Sequence, residues 1–274
     1  MLDQFISEGL KGKSEATAKS YRQQLKKFEE YLQGVEADLN NFARVDVQQY
    51  VDYLTGQGKE PATINLAINA IKKYARHTGR EEAVKDLYLP KENKNHTQAP
   101  QSLSKLQRQR LLREVDRKEN KRNKAIIQLL LRTGLRVSEL VALDRQDVEI
   151  SQRKGSVTVR NGKGYKYRTV PLDKEARRYL QDYLDERRDG QDPLFLSNRD
   201  RRISVRTVQE VLSRYEIGPH QLRHTFIKNL VDAGTSYATI QNLTGHESIE
   251  MIARYSQPDQ EDLESAIENN LYRD

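Results

Sequence analysis

The sequence predicts a mainly α-helical protein of two domains, the second of which carries a small antiparallel β-hairpin. Apolar residues recur at spacings of three and four over most of the 274 residues, as on the buried face of a helix. In residues 156–172, apolar and polar side chains instead alternate on either side of a glycine-containing turn, which is typical of a hairpin. Between residues 90 and 101 neither pattern holds, and Pro90 and Pro100 frame a polar, charged stretch. We expect residues 90–101 to be an exposed interdomain linker.

The predicted first domain, residues 1–89, contains three amphipathic helices. The first spans residues 16–33, the second has Asp46 as its expected N-cap, and the third opens at Pro61 and stops at Gly79. Away from their apolar stripes these helices carry basic residues, which suit a nucleic acid and equally suit a solvated surface: Lys19, Arg22, Lys26, Lys27, Lys72, Lys73 and Arg76.

The predicted second domain, residues 102–274, consists of helices interrupted by the hairpin. Ser104 should cap its first helix, and a densely apolar helix follows before Gly134 stops it. The acidic tail shows Leu263, Ile267 and Leu271 at four-residue steps, which predicts a final helix. The expected helices are 123–132, 136–143, 176–188, 204–215, 219–231, 237–243, 249–255 and 260–271, with hairpin strands at 156–160 and 166–172 and a short strand at 194–196.

Composition and charge restrict the class of protein. The net charge is +7 and the isoelectric point about 9.3, which favours a polyanionic partner such as nucleic acid, although solubility alone would also explain it. The absence of cysteine excludes disulfides and thiolate metal sites and suits a reducing cytoplasm. Met1-Leu2-Asp3-Gln4 does not begin a secretory signal, and no apolar run is long enough to span a membrane.

A candidate phosphate site lies at the start of one helix, in Gly218-Pro219-His220-Gln221-Leu222-Arg223-His224-Thr225. Proline suits the first helical turn, where its missing N–H costs nothing. His220 and Arg223 are three residues apart, so they share one face at the positive end of the helix dipole. This arrangement can bind a phosphate, and the alternative for the octapeptide alone is an ordinary helix start with surface residues.

Further motifs follow one another in a recognisable order. They are Thr133-Gly134-Leu135-Arg136-Val137-Ser138-Glu139-Leu140, Gly162-Lys163-Gly164, His220-Gln221-Leu222-Arg223, Thr244-Gly245-His246 and, nine residues later, Tyr255. This order and spacing resemble the tyrosine recombinase (phage integrase) family, particularly its short Xer-like members, over nearly the whole chain.

The resemblance implies a fold and an activity. Residues 1–89 would be a core-binding, SAM-like DNA-binding domain, and residues 102–274 a catalytic domain whose tail helix contacts a neighbouring protomer. The activity would be site-specific recombination, in which DNA strands are cut and rejoined through a 3′-phosphotyrosyl intermediate without cofactor or metal. The partners would be a double-stranded recombination site and further copies of the chain, a dimer on each core site and a tetramer in synapsis.

The chemistry of the side chains supports the same interpretation. Arg136 and Arg223 can each direct two N–H groups at a phosphate and stabilise a pentacoordinate transition state. Tyr255 is the candidate nucleophile, and its ordinary pKa near 10 means that it needs activation. We expect His220 to accept a proton and His246 to contact the phosphate. Lys163 would act as the acid that protonates the leaving 5′ oxygen, and Glu139 would orient Arg136.

Several alternatives stay open at the level of sequence. The chain could be a DNA-binding protein of this fold that has lost cleavage, although the complete residue set argues against that. It could also be a metal-dependent phosphodiesterase, because His220 and His224 stand four residues apart. Lys166 competes with Lys163 for the acid role. No further N-terminal domain is evident, which favours a simple resolvase-like or Xer-like enzyme.

Overall fold

The structure is a computed structural model. It describes residues 2–91, 101–118, 120–160, 167–246 and 248–256, together with Glu264 and Ile267. The chain divides into two compact units between Lys94 and Asn95. Most of the predicted linker, the hairpin tip with Lys163 and Lys166, and nearly all of the predicted tail helix lie outside the described residues.

All regular secondary structure among the described residues of the first unit is helical, and its three predicted helices are confirmed. Asp46 does not serve as the N-cap of the second one, because that helix already starts at Arg44 and its N-cap is Ala43, three residues before Asp46. The Asp46 carboxylate instead accepts the backbone N–H of Ala43 at 2.7 Å, which satisfies a donor that the helix leaves free. The elements are α1 (Leu2–Gln4), continued by a π-helical turn (Phe5–Gly9), α2 (Glu15–Gln33), α3 (Arg44–Gly56), α4 (Pro61–His77) and a 3₁₀ turn (Glu81–Val84).

Aromatic rings fill the core of this unit. Phe28 packs against Phe42 and Tyr50 with ring centroids 5.4 and 5.0 Å apart, and Phe5 meets Tyr74 edge-on at 5.3 Å. All five rings are almost completely buried. Each stabilises the fold by roughly 1.5–3 kcal/mol through burial, with a further contribution from its ring contacts. The core therefore joins the N-terminal segment to α2, α3 and α4.

The second unit is organised around α6. Seven consecutive residues of this helix, Ala125 to Leu131, are buried, so it is enclosed on nearly all sides. Ser104 and Asn120 cap α5 and α6 through side-chain contacts with backbone N–H groups, as predicted for Ser104. The helices are α5 (Lys105–Arg117), α6 (Lys121–Thr133), α7 (Val137–Ala142), α8 (Lys174–Glu186), α9 (Val205–Ser213), α10 (Pro219–Asp232), α11 (Tyr237–Thr244) and α12 (Glu250–Ala253), with 3₁₀ turns at Arg145–Asp147 and Arg254–Ser256.

A three-stranded antiparallel sheet, in the order β1-β2-β3, confirms the predicted hairpin and extends it. Strands β2 (Gly155–Val159) and β3 (Arg168–Pro171) pair with Val157 opposite Val170, both buried. Strand β1 (Val148–Ile150) was not predicted, because three residues are too few to show alternation. The short strand expected at residues 194–196 is wrong, since only isolated bridges form there, Asp144 with Pro193 and Leu196 with Arg202.

A small apolar cluster lies apart from the main core of the second unit. It joins α10, α11, α12 and the turn after it through Ile227, Ile240, Ile252 and Tyr255. These four side chains are at most 3 % exposed. The cluster therefore positions the turn that carries Tyr255. Among the described helices, none is both long enough and apolar enough to cross a membrane.

Candidate active site

Two helix ends bring the candidate site residues together. α6 ends at Gly134 and α11 at Gly245, with φ angles of 62° and 65°, a left-handed conformation that glycine adopts at little cost. The chain therefore turns sharply just before Arg136 and His246. Arg223 of α10 donates to the carbonyl oxygens of Gly134 and, at 2.8 Å, of Thr244. Segments more than a hundred residues apart in sequence thus meet at one place.

Arg223 is a buried cation whose described hydrogen-bond partners are not anions. Its side chain is 4 % exposed and contacts two carbonyl oxygens and the His246 ring. Burial, followed by the nearby charge of Arg136, lowers the pKa of Arg223 to about 10. Burial of a guanidinium without a carboxylate is costly, and a bound phosphate would offset that cost.

Glu139 connects two further arginines. Its carboxylate accepts the backbone N–H of Arg136 at 2.7 Å and the guanidinium of the same residue at 3.0 Å. Arg168 of β3 contacts both carboxylate oxygens, at 3.0 and 2.7 Å. Burial would raise the pKa of Glu139, but the hydrogen bonds and charges of Arg168 and Arg136 outweigh it and leave that pKa lowered. Glu139 is therefore ionised and in contact with Arg136, and its role of orienting that arginine stays a prediction.

The local charge balance is positive. Arg136, Arg168 and Arg223 supply three cations, and Glu139 supplies one anion among the described residues that contact them. Arg136 remains 38 % exposed in its side chain and also approaches the carbonyl oxygen of Gly245 at 3.4 Å. The half-exposed guanidinium of Arg136 and the buried guanidinium of Arg223, beside two helix ends, form a cluster that suits an anion and is called the anion pocket below.

The tautomer of His246 follows from its contacts. The Thr244 hydroxyl donates its proton to the carbonyl oxygen of Ile240 at 2.7 Å, so it must accept from His246 Nδ1, which lies at 2.6 Å. The Nε2 atom of His246 then accepts from Arg223 at 3.4 Å. Burial, followed by the charges of Arg223 and Arg136, lowers the pKa of His246 to about 4. The ring is neutral and directly beside the anion pocket.

Tyr255 presents its hydroxyl to a histidine. The residue lies in the 3₁₀ turn Arg254–Ser256, is 3 % exposed, and has its oxygen 2.5 Å from His224 Nδ1. Burial raises the pKa of Tyr255, and the charges of Arg223 and Arg254 oppose that rise. Burial, then the charges of His220, Arg223 and Arg254, lowers the pKa of His224 to about 4. A protonated phenol therefore faces a neutral imidazole.

The structure brings Arg136, Glu139, Arg223, His246 and Tyr255 into one region. His220 is exposed, and its ring centroid lies 6.3 Å from that of His224. Its role as proton acceptor stays a prediction. Lys163 lies outside the described residues, so its role as acid stays a prediction too.

Sequence reasoning missed two residues of this site. Arg168 belongs to a strand and resembles a surface arginine, and nothing in the sequence points to Glu139 as its partner. For His224, the sequence pattern indicates only a possible zinc ligand together with His220. Within the described residues, no group of three or more histidine, aspartate and glutamate side chains could hold a metal ion.

Comparison with known proteins gives concordant matches to both parts of the chain. Residues 101–262 match the model of the phage integrase family, and residues 2–82 match that of the phage integrase N-terminal SAM-like domain. Fold and site thus define a site-specific DNA recombinase that uses a tyrosine. The chain belongs to the phage integrase family.

Its relatives include Xer recombinases from archaea and bacteria. The chain is 34 % identical to tyrosine recombinase XerA of Pyrococcus furiosus, over 94 % of this chain and 89 % of the relative. It is 31 % identical to tyrosine recombinase XerD of Oceanobacillus iheyensis, over 90 % and 89 % of the two chains.

Two solved structures share the fold. XerH bound to its difH substrate before cleavage matches with a TM-score of 0.72 at 22 % identity, over 97 % of this chain and 82 % of that one. A lambda integrase dimer bound to a COC′ core site matches with a TM-score of 0.71 at 18 % identity, over 94 % and 76 %. At these identities the match supports the fold alone.

Proposed function

We propose that this chain is an Xer-like recombinase that cuts one DNA strand at a time with Tyr255 and rejoins it to a different strand. The observation that carries this proposal is the juxtaposition of a buried tyrosine hydroxyl with a pocket of excess positive charge around Arg223 and Arg136. A phosphodiester is an anion and resists nucleophilic attack until its charge is offset. The pocket supplies that offset beside the nucleophile.

The reaction needs no external energy source. The Tyr255 hydroxyl gives its proton to a histidine of α10 as its oxygen attacks phosphorus, and the bond from phosphorus to the 5′ oxygen breaks, which leaves a 3′-phosphotyrosyl ester and a free 5′-hydroxyl. Arg136 and Arg223 would bind the non-bridging oxygens, with His246 beside them, and Lys163 would protonate the leaving oxygen. Attack by another 5′-hydroxyl reverses these steps, because the ester retains the energy of the DNA backbone.

The proposed partners are double-stranded DNA and other copies of the chain, in the cytoplasm. The solved relatives bound to a difH substrate and, as a dimer, to a COC′ core site support this. By analogy we propose a dimer on each core site and a tetramer in synapsis, with the tail helix of residues 260–271 linking protomers. The absence of cysteine suits a reducing compartment.

The proposal is tested with a suicide substrate. A DNA duplex that the protein binds is first selected from a randomised library. The selection uses the Tyr255→Phe variant, which keeps the ring and loses only the hydroxyl. A selected duplex with a nick near the cleavage point then releases a short fragment after attack and cannot be rejoined. We expect the wild-type protein to form a detergent-stable DNA adduct in the presence of EDTA and Tyr255→Phe to form none.

The alternatives give different results in the same assay. A DNA-binding protein that has lost cleavage would bind the selected duplex without forming any adduct. A metal-dependent phosphodiesterase would cut it only without EDTA and would leave no covalent link.

A further inference from the structure

The hydroxyl of Tyr255 and the ring of His224 form the closest polar contact at the proposed nucleophile. The oxygen lies 2.5 Å from Nδ1, and the two rings are tilted by 42° with centroids 5.6 Å apart. His224 directly follows Arg223 on α10, and Tyr255 is packed among Ile227, Ile240 and Ile252. The helix that holds the phosphate-binding arginine therefore also contacts the nucleophile.

The direction of this hydrogen bond follows from the burial of the phenol. A buried hydroxyl needs an acceptor for its own proton. Among the described residues, His224 Nδ1 is the acceptor within hydrogen-bonding distance of the Tyr255 hydroxyl. The phenol therefore donates to a neutral ring that carries its own proton on Nε2.

We propose that His224 is a catalytic residue, whose Nδ1 accepts the phenolic proton while Tyr255 attacks the phosphodiester. This inference rests on the proposed function. The bond from the Tyr255 oxygen to phosphorus forms, the bond from phosphorus to the 5′ oxygen breaks, and the phenolic proton ends on His224. The leaving oxygen takes a separate proton from its acid, predicted to be Lys163. In rejoining, the imidazolium returns its proton to the departing phenolate.

The surrounding charges connect this proton transfer to DNA binding. The groups whose positive charge opposes an imidazolium at His224 are His220 and Arg223 on its own helix and Arg254 from the turn of Tyr255. A phosphodiester bound at Arg223 offsets part of that positive field. The ring therefore becomes a better base when the substrate arrives, which limits activation of Tyr255 to the bound complex.

His220 is the competing candidate for the same proton. It lies one turn earlier on α10 and is exposed, with its ring centroid 6.3 Å from that of His224. Among the described residues, it is His224 whose ring nitrogen lies within hydrogen-bonding distance of the nucleophilic oxygen. The geometry therefore favours His224 for the first proton transfer and leaves His220 available for a contact with the substrate.

Chemical rescue tests this assignment on the full-length protein. Adduct formation on the selected nicked duplex is timed for the wild type and for His224→Ala, His224→Gln and His220→Ala, each with and without added imidazole. We expect His224→Ala to bind the duplex and to be slower by about 100-fold or more, the effect typical of losing a general base. Imidazole should accelerate it, and the more basic 4-methylimidazole should do so further.

The variants separate a base from a positioning contact. His224→Gln offers an acceptor oxygen but cannot take up a proton, so it should remain slow. A His224→Ala rate equal to or above that of the wild type, a His224→Gln rate equal to it, or rescue confined to His220→Ala would overturn the assignment. So would a slow His224→Ala protein that imidazole does not accelerate. A wild-type protein without any adduct would instead refute the proposed function itself.

Discussion

The guanidinium of Arg168 contacts both carboxylate oxygens of Glu139, at 3.0 and 2.7 Å, with side chains only 11 % and 5 % exposed. The same arginine donates from Nε to the carbonyl oxygen of Leu243 at 2.9 Å, just before the helix end that carries His246. Glu139 in turn binds Arg136. Strand β3 is thereby tied to both sides of the anion pocket by one side chain, which makes Arg168 a positioning residue.

Replacement of Arg168 should weaken both the fold and the chemistry. Arg168→Ala leaves the buried carboxylate of Glu139 with one cationic partner, and we expect a loss of about 3 kcal/mol in the free energy of unfolding. Arg168→Lys keeps the positive charge but cannot contact both carboxylate oxygens of Glu139 in the same way. It should therefore retain only part of the stability that Arg168→Ala loses. Denaturant unfolding and the rate of adduct formation measure the two effects.

A surface ion pair provides the control for Arg168. Arg206 and Glu210 are 88 % and 60 % exposed, so Arg206→Ala should change the free energy of unfolding by less than about 1 kcal/mol. Equal effects of the Arg168 and Arg206 substitutions would contradict the anchoring role of the buried pair.

Gly134 is required both for its conformation and for its lack of a side chain. Its φ is 62°, and a Cβ atom there would lie 2.3 Å from the Phe226 ring. Its carbonyl oxygen also accepts from Arg223. We expect Gly134→Ala to destabilise the protein by roughly 2 kcal/mol or more and to slow adduct formation, because the clash displaces an Arg223 partner.

Gly234 is the control that separates the cost of the left-handed backbone conformation from the cost of the clash with Phe226. Its φ of 73° is similar, but a Cβ atom there would meet nothing within 4 Å. Gly234→Ala should therefore cost only about 1 kcal/mol of backbone strain and leave the adduct rate unchanged. If the two alanine variants lost the same stability, the contact with Phe226 would not be limiting.

The buried charge of Arg223, whose described hydrogen-bond partners include no carboxylate, predicts stabilisation by simple anions. Inorganic phosphate should raise the unfolding temperature at constant ionic strength, and occupancy at a hundred times Kd would contribute about 2.7 kcal/mol. Arg223→Ala should lose this increment, whereas Arg206→Ala should keep it. An increment that survives removal of Arg223 would show that phosphate binds elsewhere.

Two half-buried histidines, His224 and His246, predict a particular pH dependence of stability. The pKa of His224 and that of His246 are about 4 in the folded protein, below the ordinary value of 6.5. The unfolded chain therefore binds more protons between these values, and the free energy of unfolding should fall as the pH drops from about 6.5 to about 4. Each histidine contributes at most about 1.4 kcal/mol per pH unit.

Denaturant titrations of the full chain at several pH values in this window measure that slope. His224→Gln and His246→Gln should each reduce it, because glutamine does not titrate. A slope that is the same in the wild type and in both variants would show that other groups control the acid sensitivity.

Local sequence patterns predicted most of the helices because each pattern has a direct physical cause. The apolar helix that became α6 is buried on nearly every side, and Ser104 caps α5 as expected. Strand β1 could not be predicted, because three residues are too few to show the alternation of apolar and polar side chains. The apolar run at residues 194–196 is buried like a strand, yet its backbone pairs only through isolated bridges.

The site was predictable where its motifs are local and not where its contacts are distant. Arg136 and Glu139 are three residues apart, so their pairing followed from helix geometry. Arg168 meets Glu139 across 29 residues, and His224 meets Tyr255 across 31. Such pairs depend on how strands and helices pack against one another, and the spacing of apolar residues in the sequence does not predict that packing. Only the structure distinguishes His224 from His220 as the histidine in contact with the Tyr255 hydroxyl.

The most direct test of the account is the identity of the residue that becomes linked to DNA. The adduct formed by the wild-type protein on the nicked duplex is digested with a protease and a nuclease, and the modified peptide is sequenced by mass spectrometry. We predict a nucleotide joined through its 3′ phosphate to the oxygen of Tyr255. A link to any other residue, or to a 5′ phosphate, would contradict the assignment of Tyr255 as the nucleophile beside the Arg136 and Arg223 pocket.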